Sequence, residues 1–199
     1  MTVTYAQSSF PGNRDHNEDY MLTGSDGERY CFAVADGLGG HGKGEVASRI
    51  VCETALQCFA GQKEMNPEVM FTRAQDMLME EQRREKAVDA MKTTLNLLIA
   101  DPENVRWGHV GDTRTYYFRK KKMVSRTKDH SVPQMMVSMG EIKEKEIRHH
   151  ADRNRLLRVM GIEWTKPQYV MEENVRVHGK QAFLMCTDGF WEYIEDKEM

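Results

Sequence analysis

The segment Phe32–Gly44 reads FAVADGLGGHGKG and places an acid, Asp36, between an apolar run and a run rich in glycine. The apolar residues 30–35 predict a short buried strand, and apolar side chains at helical spacing in 45–59 predict a helix after the glycines. A strand that ends on a carboxylate before such a loop fits two kinds of site. One is a loop that wraps a phosphate, and the other is a strand end that binds a metal ion.

The composition is that of one globular domain. A chain of 199 residues is long enough for one well-buried core, so residues 1–199 are expected to form a single domain. The 28 basic and 31 acidic residues leave a net charge of −3, which gives no field for nucleic acid. No apolar stretch reaches membrane-spanning length, and the first ten residues lack the layout of a secretory signal. The four cysteines include no CxxC pair, so we expect reduced thiols in a cytoplasmic protein without a membrane partner.

Outward from the quoted segment, pairs of strands alternate with blocks of helix, which is typical of an α+β fold with antiparallel sheets. The region 132–161 is polar, rich in Arg and His and weakly helical, and we expect it to be a mobile segment over a site. The other predicted elements are a helix over 68–90, strands over 93–100 and 105–110 joined by a turn, a hairpin of 115–119 and 123–127, and strands over 169–177 and 181–186.

The phosphate-loop interpretation rests on Gly37-x-x-x-x-Gly42-Lys43, which matches a Walker A loop between a strand and a helix. The next residue is Gly44 rather than Ser or Thr, so the hydroxyl that binds Mg²⁺ is missing. Asp36 would also repel a phosphate at the mouth of the loop. A nucleotide-binding protein therefore ranks third among the functions considered.

Two other kinds of site are incomplete. Asp15, Asn17 and Asp19 have the early spacing of an EF-hand, but Tyr20 replaces its glycine and Asp26 replaces its closing glutamate. No cysteine is followed at the sixth position by the arginine that a cysteine-dependent phosphatase requires. Calcium binding by this loop and covalent catalysis through sulfur are therefore not expected.

Acids follow three of the predicted strands, each beside a glycine: Asp36 after FAVA, Asp112 after WGHV and Asp188 after AFLMCT. An exposed turn explains any one Asp-Gly pair. Three acids at the same place relative to a strand predict that they meet at one rim of the sheet, provided that the strands are neighbours.

Further oxygen ligands are close by in sequence. Glu18 and Asp19 lie together near the N-terminus, and Glu192 lies one helical turn beyond Asp188. A cluster of like charges is costly unless cations sit among them, and oxygen ligands without a His/Cys set select Mg²⁺ or Mn²⁺. Gly37, which has no side chain, would let its backbone carbonyl approach such an ion.

Arg14 precedes these acids and has two interpretations. Its planar guanidinium suits two oxygens of a phosphate. It would equally form a surface salt bridge with Glu18 or Asp19, and the residues alone leave both open.

Together these motifs resemble, in chain order and over nearly the whole length, those of the metal-dependent protein phosphatases of the PPM (PP2C-like) family. Each motif alone is weak, and the combination is specific. Two of them, at 129–131 and 153–156, are similar to the bacterial branch. The motifs are Arg14-x-x-Asn17-Glu18-Asp19, Asp36-Gly37-x-Gly39-Gly40, Gly111-Asp112-x-Arg114, Asp129-His130-Ser131, Arg153-Asn154-Arg155-Leu156 and Thr187-Asp188-Gly189-Phe190-Trp191.

The resemblance implies a PP2C-like β-sandwich of two antiparallel sheets with helices on both outer faces, an α-β-β-α arrangement. It implies a phosphoric monoester hydrolase that cleaves phosphoserine and phosphothreonine esters of phosphorylated proteins and opposes a serine/threonine kinase. Two ions roughly 4 Å apart would convert a bridging water to hydroxide for in-line attack, so no covalent intermediate is required.

The resemblance also implies a role for each site residue. Asp36 would bridge two Mn²⁺ or Mg²⁺ ions, Gly37 would lend its carbonyl to one, and Asp188 would bind the other. Glu18 and Asp19 would orient metal-bound waters, and Arg14 would bind the substrate phosphate. A third and weaker ion would be held by Asp112, Asp188 and Glu192. The region 132–160 would form a variable flap beside the site.

The general acid differs from the animal members of the family. Leu38 occupies the place of a histidine that has been proposed for that role, and bacterial members commonly carry an apolar residue there. His41 is near in sequence, but a solvent-facing loop histidine is the better interpretation. A water on a metal or another group would then protonate the leaving group.

The chain stops at Met199, whereas family members continue to a last strand that carries another metal-binding aspartate. We therefore expect a domain incomplete at its C-terminus, with incomplete metal binding and weak or no activity. The exposed sheet edge would favour a dimer or strand exchange. A phosphatase-like module that regulates or binds phosphopeptides is the second functional hypothesis.

Overall fold

The computed structural model describes residues 1–39, 42–61, 66–87, 90–172 and 174–199. Within these ranges the chain forms two antiparallel sheets and several helices, which confirms the expected α+β class. The strands are β1 Asp19–Asp26, β2 Arg29–Asp36, β3 Leu95–Ala100, β4 Asn104–Val110, β5 Arg114–Arg119, β6 Lys122–Arg126, β7 Val170–Met171, β8 Val175–Arg176 and β9 Gln181–Cys186. The helices are α1 Gly44–Gly61, α2 Pro67–Glu85, α3 Val132–Ser138 and α4 Asp188–Trp191, with a 3-10 helix at Glu144–His149.

The larger sheet has the order β1-β2-β3-β4-β7, and β8 also pairs with β4. Side chains of a strand alternate between the two faces of a sheet. In β2, Cys31, Ala33 and Ala35 accordingly belong to the core under α1 and α2, whereas Phe32 packs in a second core. Helices therefore cover one face of this sheet, and the other face is free to meet the second sheet.

The smaller sheet has the order β6-β5-β9, and aromatic side chains join it to the larger one. The Phe183 ring of β9 lies 5.3 Å from Trp107 of β4 and 4.9 Å from Tyr117 of β5. On the opposite face of β5, Tyr116 shares a third core with Ile147 of the 3-10 helix and Trp191 of α4. The expected order of helix, sheet, sheet and helix is confirmed.

The helix ends have local causes. α2 begins after Asn66, whose side chain accepts a hydrogen bond from the Glu68 N–H, and Pro67 suits the first turn. It ends at Glu85 because Lys86 adopts a left-handed conformation (φ 52°). Among the described residues, none of the helices combines the length and apolar content needed to cross a bilayer.

Three boundaries differ from the sequence predictions. β1 was not predicted, because residues 19–26 are half-buried edge residues with little apolar alternation. The single strand predicted over 169–177 is wrong: β7 and β8 are separate two-residue strands, each paired with β4. The helix predicted to 90 is too long, since α2 ends at Glu85, and residues 88–89 lie outside the described ranges.

Candidate metal centre

The first two acids meet across neighbouring strands. Asp19 begins β1 and Asp36 ends β2, and these two residues are direct partners in the antiparallel ladder. The pairing explains how residues 17 positions apart come to the same rim of the larger sheet.

Asp36 is held in place through its backbone. Its N–H donates to the Thr94 hydroxyl (2.9 Å), and its carbonyl accepts from the Thr93 hydroxyl (2.7 Å) and from the Thr94 N–H (2.9 Å). The Thr94 hydroxyl also lies 2.6 Å from the hydroxyl of Thr113 in the turn between β4 and β5. The end of β2 is therefore bonded to the residues directly before β3 and, through Thr94, to the turn between β4 and β5.

Glycine is required after Asp36 because two backbone segments approach each other there. A Cβ at Gly37 would lie 2.8 Å from the Glu18 carbonyl oxygen and closer still to the carbonyl of Gly44. The Gly37 N–H donates to that Glu18 carbonyl at 3.0 Å. The glycine thus allows the start of α1 to pack directly against the strand end.

A second glycine contact involves the Glu18 side chain. A Cβ at Gly39 would lie 2.7 Å from the Glu18 carboxyl carbon, and one at Gly44 would lie 2.8 Å from Glu18 Oε1. The Glu18 carboxylate is therefore packed against the glycine loop, and the loop leaves room for it. Gly40, which belongs to the quoted motif, and His41 lie outside the described residues.

The other two strand-end acids lie next to strands of the smaller sheet, Asp112 shortly before β5 and Asp188 shortly after β9. Asp112 is buried in the turn between β4 and β5, and Asp188 is the first residue of α4, directly after β9. β5 and β9 are paired along their whole length, from Arg114 opposite Cys186 to Arg119 opposite Gln181. The Thr187 hydroxyl donates to Asp19 Oδ2 (2.9 Å) and so joins the start of α4 to the rim of the larger sheet.

The charges of these acids act on one another and change their pKa values. Burial, followed by repulsion from Asp188, Asp19 and Asp112, raises the pKa of Asp36 well above its ordinary value. Burial and repulsion from Asp188 raise the pKa of Asp19 and, with a further contribution from Asp129, the pKa of Asp112. The strands that precede Asp36, Asp112 and Asp188 are not neighbours, because β3 lies between β2 and β4 and β9 belongs to the smaller sheet. The charges of the three acids still act on one another, and their meeting at one rim stays a prediction.

Arg14 and Glu192 lie at the margin of this cluster. The positive charge of Arg14, on an exposed N-terminal loop, opposes the rise in pKa at both Asp19 and Asp36. Glu192 accepts a hydrogen bond from Arg153 Nε at 2.7 Å, and burial and the Asp188 charge raise its pKa. Glu192 lies one helical turn beyond Asp188, as expected, since its N–H donates to the Asp188 carbonyl at 3.0 Å. Its side chain is paired with an arginine of the 132–160 region.

The donor set fits hard divalent cations. The side chains that face one another are carboxylates, and their mutual repulsion raises the pKa values, which is the situation that a bound cation relieves. Among the described residues, no three or more His, Cys, Asp or Glu side chains are already grouped closely enough to hold one ion.

Several supporting residues were not recognised as such from sequence. Thr93 and Thr94 hold the Asp36 backbone, and Asn17 accepts a hydrogen bond from the Asp19 N–H (3.0 Å). A signal existed in the pair of buried threonines directly before the apolar strand β3, where polar residues require partners.

Comparisons with known proteins agree with this geometry. A family model described as protein phosphatase 2C matches residues 11–199. The chain is 26% identical over 202 residues to the serine/threonine protein phosphatase PstP of Mycobacterium tuberculosis and 30% identical over 198 residues to the serine/threonine phosphatase stp of Listeria welshimeri. It spans 38% of the mycobacterial protein's length and 77% of the Listeria protein's, which are matched by 99% and 94% of this chain.

Solved structures show the same fold. The serine/threonine phosphatase Stp1 of Staphylococcus aureus has a TM-score of 0.81 at 25% identity, with 93% of this chain and 75% of that chain covered. The catalytic domain of PstP in complex with two manganese ions has a TM-score of 0.74 at 25% identity, over 92% of this chain and 76% of that chain. The chain belongs to the protein phosphatase 2C family.

Proposed function

We propose that the protein is a metal-dependent serine/threonine protein phosphatase that hydrolyses phosphoserine and phosphothreonine esters. The observation that carries the proposal is the direct pairing of Asp36 with Asp19 across the β1–β2 ladder, together with the repulsion that Asp188 and Asp112 exert on Asp36. Buried acids of like charge are a cost to folding, and divalent cations remove that cost. The names of the mycobacterial and Listeria relatives support the reaction.

In this proposal Asp36 and the Gly37 carbonyl hold one Mn²⁺ or Mg²⁺ ion, and Asp36 and Asp188 hold a second. When bound, such ions supply a nucleophile at neutral pH and positive charge for the phosphate oxygens. The manganese ions of the PstP catalytic domain support this choice of metal. Glu18 and Asp19 accept hydrogen bonds from ordered water, and Asp112 with Glu192 and Asp188 forms a third, weaker site.

Arg14 binds the substrate phosphate in the same proposal. Its charge acts on Asp19 and Asp36 from an exposed loop, so it is near the acids and still accessible to a substrate. A planar guanidinium donates to two oxygens of a phosphate at once, which a lysine ammonium does not. Of the two interpretations that the sequence left open, phosphate binding is therefore the one we adopt.

The partners follow from the reaction. Phosphorylated proteins are the substrates, and a cognate serine/threonine kinase supplies them. The four cysteines are free, which supports a reducing, cytoplasmic location. In this proposal residues 1–199 act as one domain. β9 forms an edge of the smaller sheet, and edge strands pair readily with a second chain, so a dimer through β9 is testable by analytical ultracentrifugation.

The test is hydrolysis of a phosphothreonine peptide, followed by phosphate release, with Mn²⁺ and with EDTA. We expect turnover only with the metal, and its loss in Asp36→Asn. The control is Asp76→Asn, which changes an exposed acid of α2 outside the site. Turnover in EDTA, or full activity of Asp36→Asn with Mn²⁺, would refute the proposed function.

The second candidate is a phosphopeptide-binding module of the same fold with little hydrolysis. It is favoured by one observation, the ion pair of Glu192 with Arg153, which occupies a carboxylate that the third ion would need. In that case the phosphothreonine peptide would bind with measurable affinity and remain intact in the presence of Mn²⁺. Binding and hydrolysis measured on the same peptide therefore separate the two functions.

A further inference from the structure

Trp191 connects the helix that begins with Asp188 to the turn that contains Asp112. Its side chain is 1% exposed, and its indole N–H donates to the backbone carbonyl of Asp112 at 3.0 Å. Trp191 is also the last residue of α4, the helix that begins with Asp188. One indole hydrogen bond therefore joins the element that carries Asp188 to the turn that carries Asp112.

The ring of Trp191 stacks on the guanidinium of Arg114, which a buried ion pair holds in place. The Arg114 guanidinium lies 3.5 Å from the Trp191 ring centre and makes two hydrogen bonds to Asp129, at 2.8 and 2.6 Å. Both members of this ion pair are buried. A guanidinium held by a bidentate carboxylate offers a fixed plane on which an indole stacks.

α4 depends on these contacts because it has only four residues, too few to be stable as an isolated helix. Its start is held by Thr187 on Asp19, and Arg148 donates to the Trp191 carbonyl (2.9 Å) at its end. The Trp191 side chain is the contact that sets the helix against the Asp112 turn between those two points. Neighbouring Phe190 and Tyr193 are exposed and do not share this role.

We propose that Trp191 is a positioning residue for the metal centre, which fixes the separation of Asp188 from Asp112 through its indole N–H. The inference rests on the proposed function, since it assumes that these acids bind divalent cations. Without the indole bond α4 shifts among several positions, and only part of the population presents Asp188 correctly. The apparent metal affinity falls in proportion to that fraction.

The first experiment measures Mn²⁺ binding by isothermal titration calorimetry for the unaltered protein, Trp191→Phe and Tyr193→Leu, with thermal unfolding in EDTA as the measure of folding. Trp191→Phe keeps an aromatic ring beside Arg114 and loses the N–H donor together with part of the buried indole ring, so the EDTA unfolding measurement separates a loss of stability from a loss of metal binding. We expect its Mn²⁺ dissociation constant to rise about three- to tenfold, as for the loss of one hydrogen bond. Tyr193→Leu, on an exposed residue of the same segment, should bind Mn²⁺ like the unaltered protein.

The second experiment uses the unaltered fold and so applies even if Trp191→Phe does not fold. The three indole N–H signals are followed by ¹⁵N NMR during a Mg²⁺ titration, with assignment from Trp107→Phe and Trp164→Phe. We expect the Trp191 signal to shift, while that of Trp164, whose indole bonds to the Val159 carbonyl, stays in place.

The outcomes are distinct. If the unaltered protein binds neither Mn²⁺ nor Mg²⁺, the proposed function fails. If it binds them, but Trp191→Phe is folded with unchanged affinity or the Trp191 indole signal does not respond to Mg²⁺, the role of Trp191 is refuted. Equal weakening by Tyr193→Leu would also refute it.

Discussion

Two glycines of this protein directly follow a site aspartate, and the structure predicts opposite results when each is replaced by alanine. A Cβ at Gly37 would lie 2.8 Å from the Glu18 carbonyl oxygen, where ordinary contact begins at 3.4 Å, so the backbone segments must separate by at least 0.6 Å (3.4 minus 2.8). A Cβ at Gly189 meets nothing within 4 Å. The same dipeptide, Asp-Gly, therefore has different requirements at the two strand ends.

The expected magnitudes follow from that geometry. Overpacking of a buried site costs about 1–3 kcal/mol, and each kcal/mol lowers the melting temperature of a protein of this size by about 2–4 °C. Gly37→Ala should therefore melt about 2–12 °C lower in EDTA. Gly189→Ala, in a helix, should gain about 0.5–1 kcal/mol and melt about 1–4 °C higher.

Activity should separate the two variants further. The shift at Gly37 moves the Asp36 backbone, and a displacement approaching 1 Å costs on the order of 100-fold in rate. We expect phosphopeptide hydrolysis with Mn²⁺ to fall about 10- to 100-fold in Gly37→Ala and to change little in Gly189→Ala. The reasoning would be refuted by a Gly37→Ala protein that melts and turns over like the unaltered one, or by equal damage from Gly189→Ala.

Asp36→Asn should melt about 0.4–4 °C higher than the unaltered protein in EDTA at pH 8, because it removes one of two like charges directly opposite in the ladder. Asp76→Asn should leave the melting temperature unchanged, and a lower melting temperature of Asp36→Asn would contradict this. Asp129→Asn should lose about 3–5 kcal/mol in urea unfolding, since it breaks a buried ion pair, and a loss below 1 kcal/mol would mean that Arg114 finds another partner. With a thiol reagent at pH 8, Cys58 should be the one fast-reacting cysteine. Burial raises the thiol pKa of the three buried cysteines, to about 12 at Cys31 and Cys186. Two or more fast thiols would be inconsistent with that burial. Burial lowers the pKa of His130 to about 3 from 6.5, so the unfolded chain takes up the proton first and the stability falls as the pH drops from 6.5 toward 3. His130→Asn keeps an acceptor for the Gly111 N–H and should flatten this fall in melting temperature. An unaltered slope would exclude His130 as its source.

The strand-end acids could be predicted from the sequence because each combines an apolar run with Asp and Gly, a local pattern. β2, β3, β4 and β9 were recognisable because each is a short segment rich in apolar residues, and β3 is buried along its whole length. Whether the acids meet depends on which strands are neighbours in the sheets. The sequence does not show the order of the strands, so the meeting was predicted only on the condition that they are neighbours. The structure does not meet that condition, because β3 lies between β2 and β4 and β9 belongs to the smaller sheet. The ladder instead sets Asp36 opposite Asp19, which begins an edge strand that the sequence did not reveal.

The supporting contacts were beyond sequence reasoning for a physical reason. Thr94 and Trp191 act through atoms that bond to residues 58 and 79 positions away. No periodicity or spacing encodes a contact between elements that are so distant along the chain. β1 was missed because an edge strand at a polar rim is only half-buried and lacks the alternation that marks a strand.

The central claim is that Asp36 and Asp188, on different sheets, share divalent cations. Anomalous diffraction from crystals grown with Mn²⁺ tests it most directly. The account predicts two manganese peaks on the buried rim, with a carboxylate oxygen of Asp36 in reach of both and a carboxylate oxygen of Asp188 in reach of one. Full manganese occupancy elsewhere on the molecule, with no peak within bonding distance of Asp36, would contradict it.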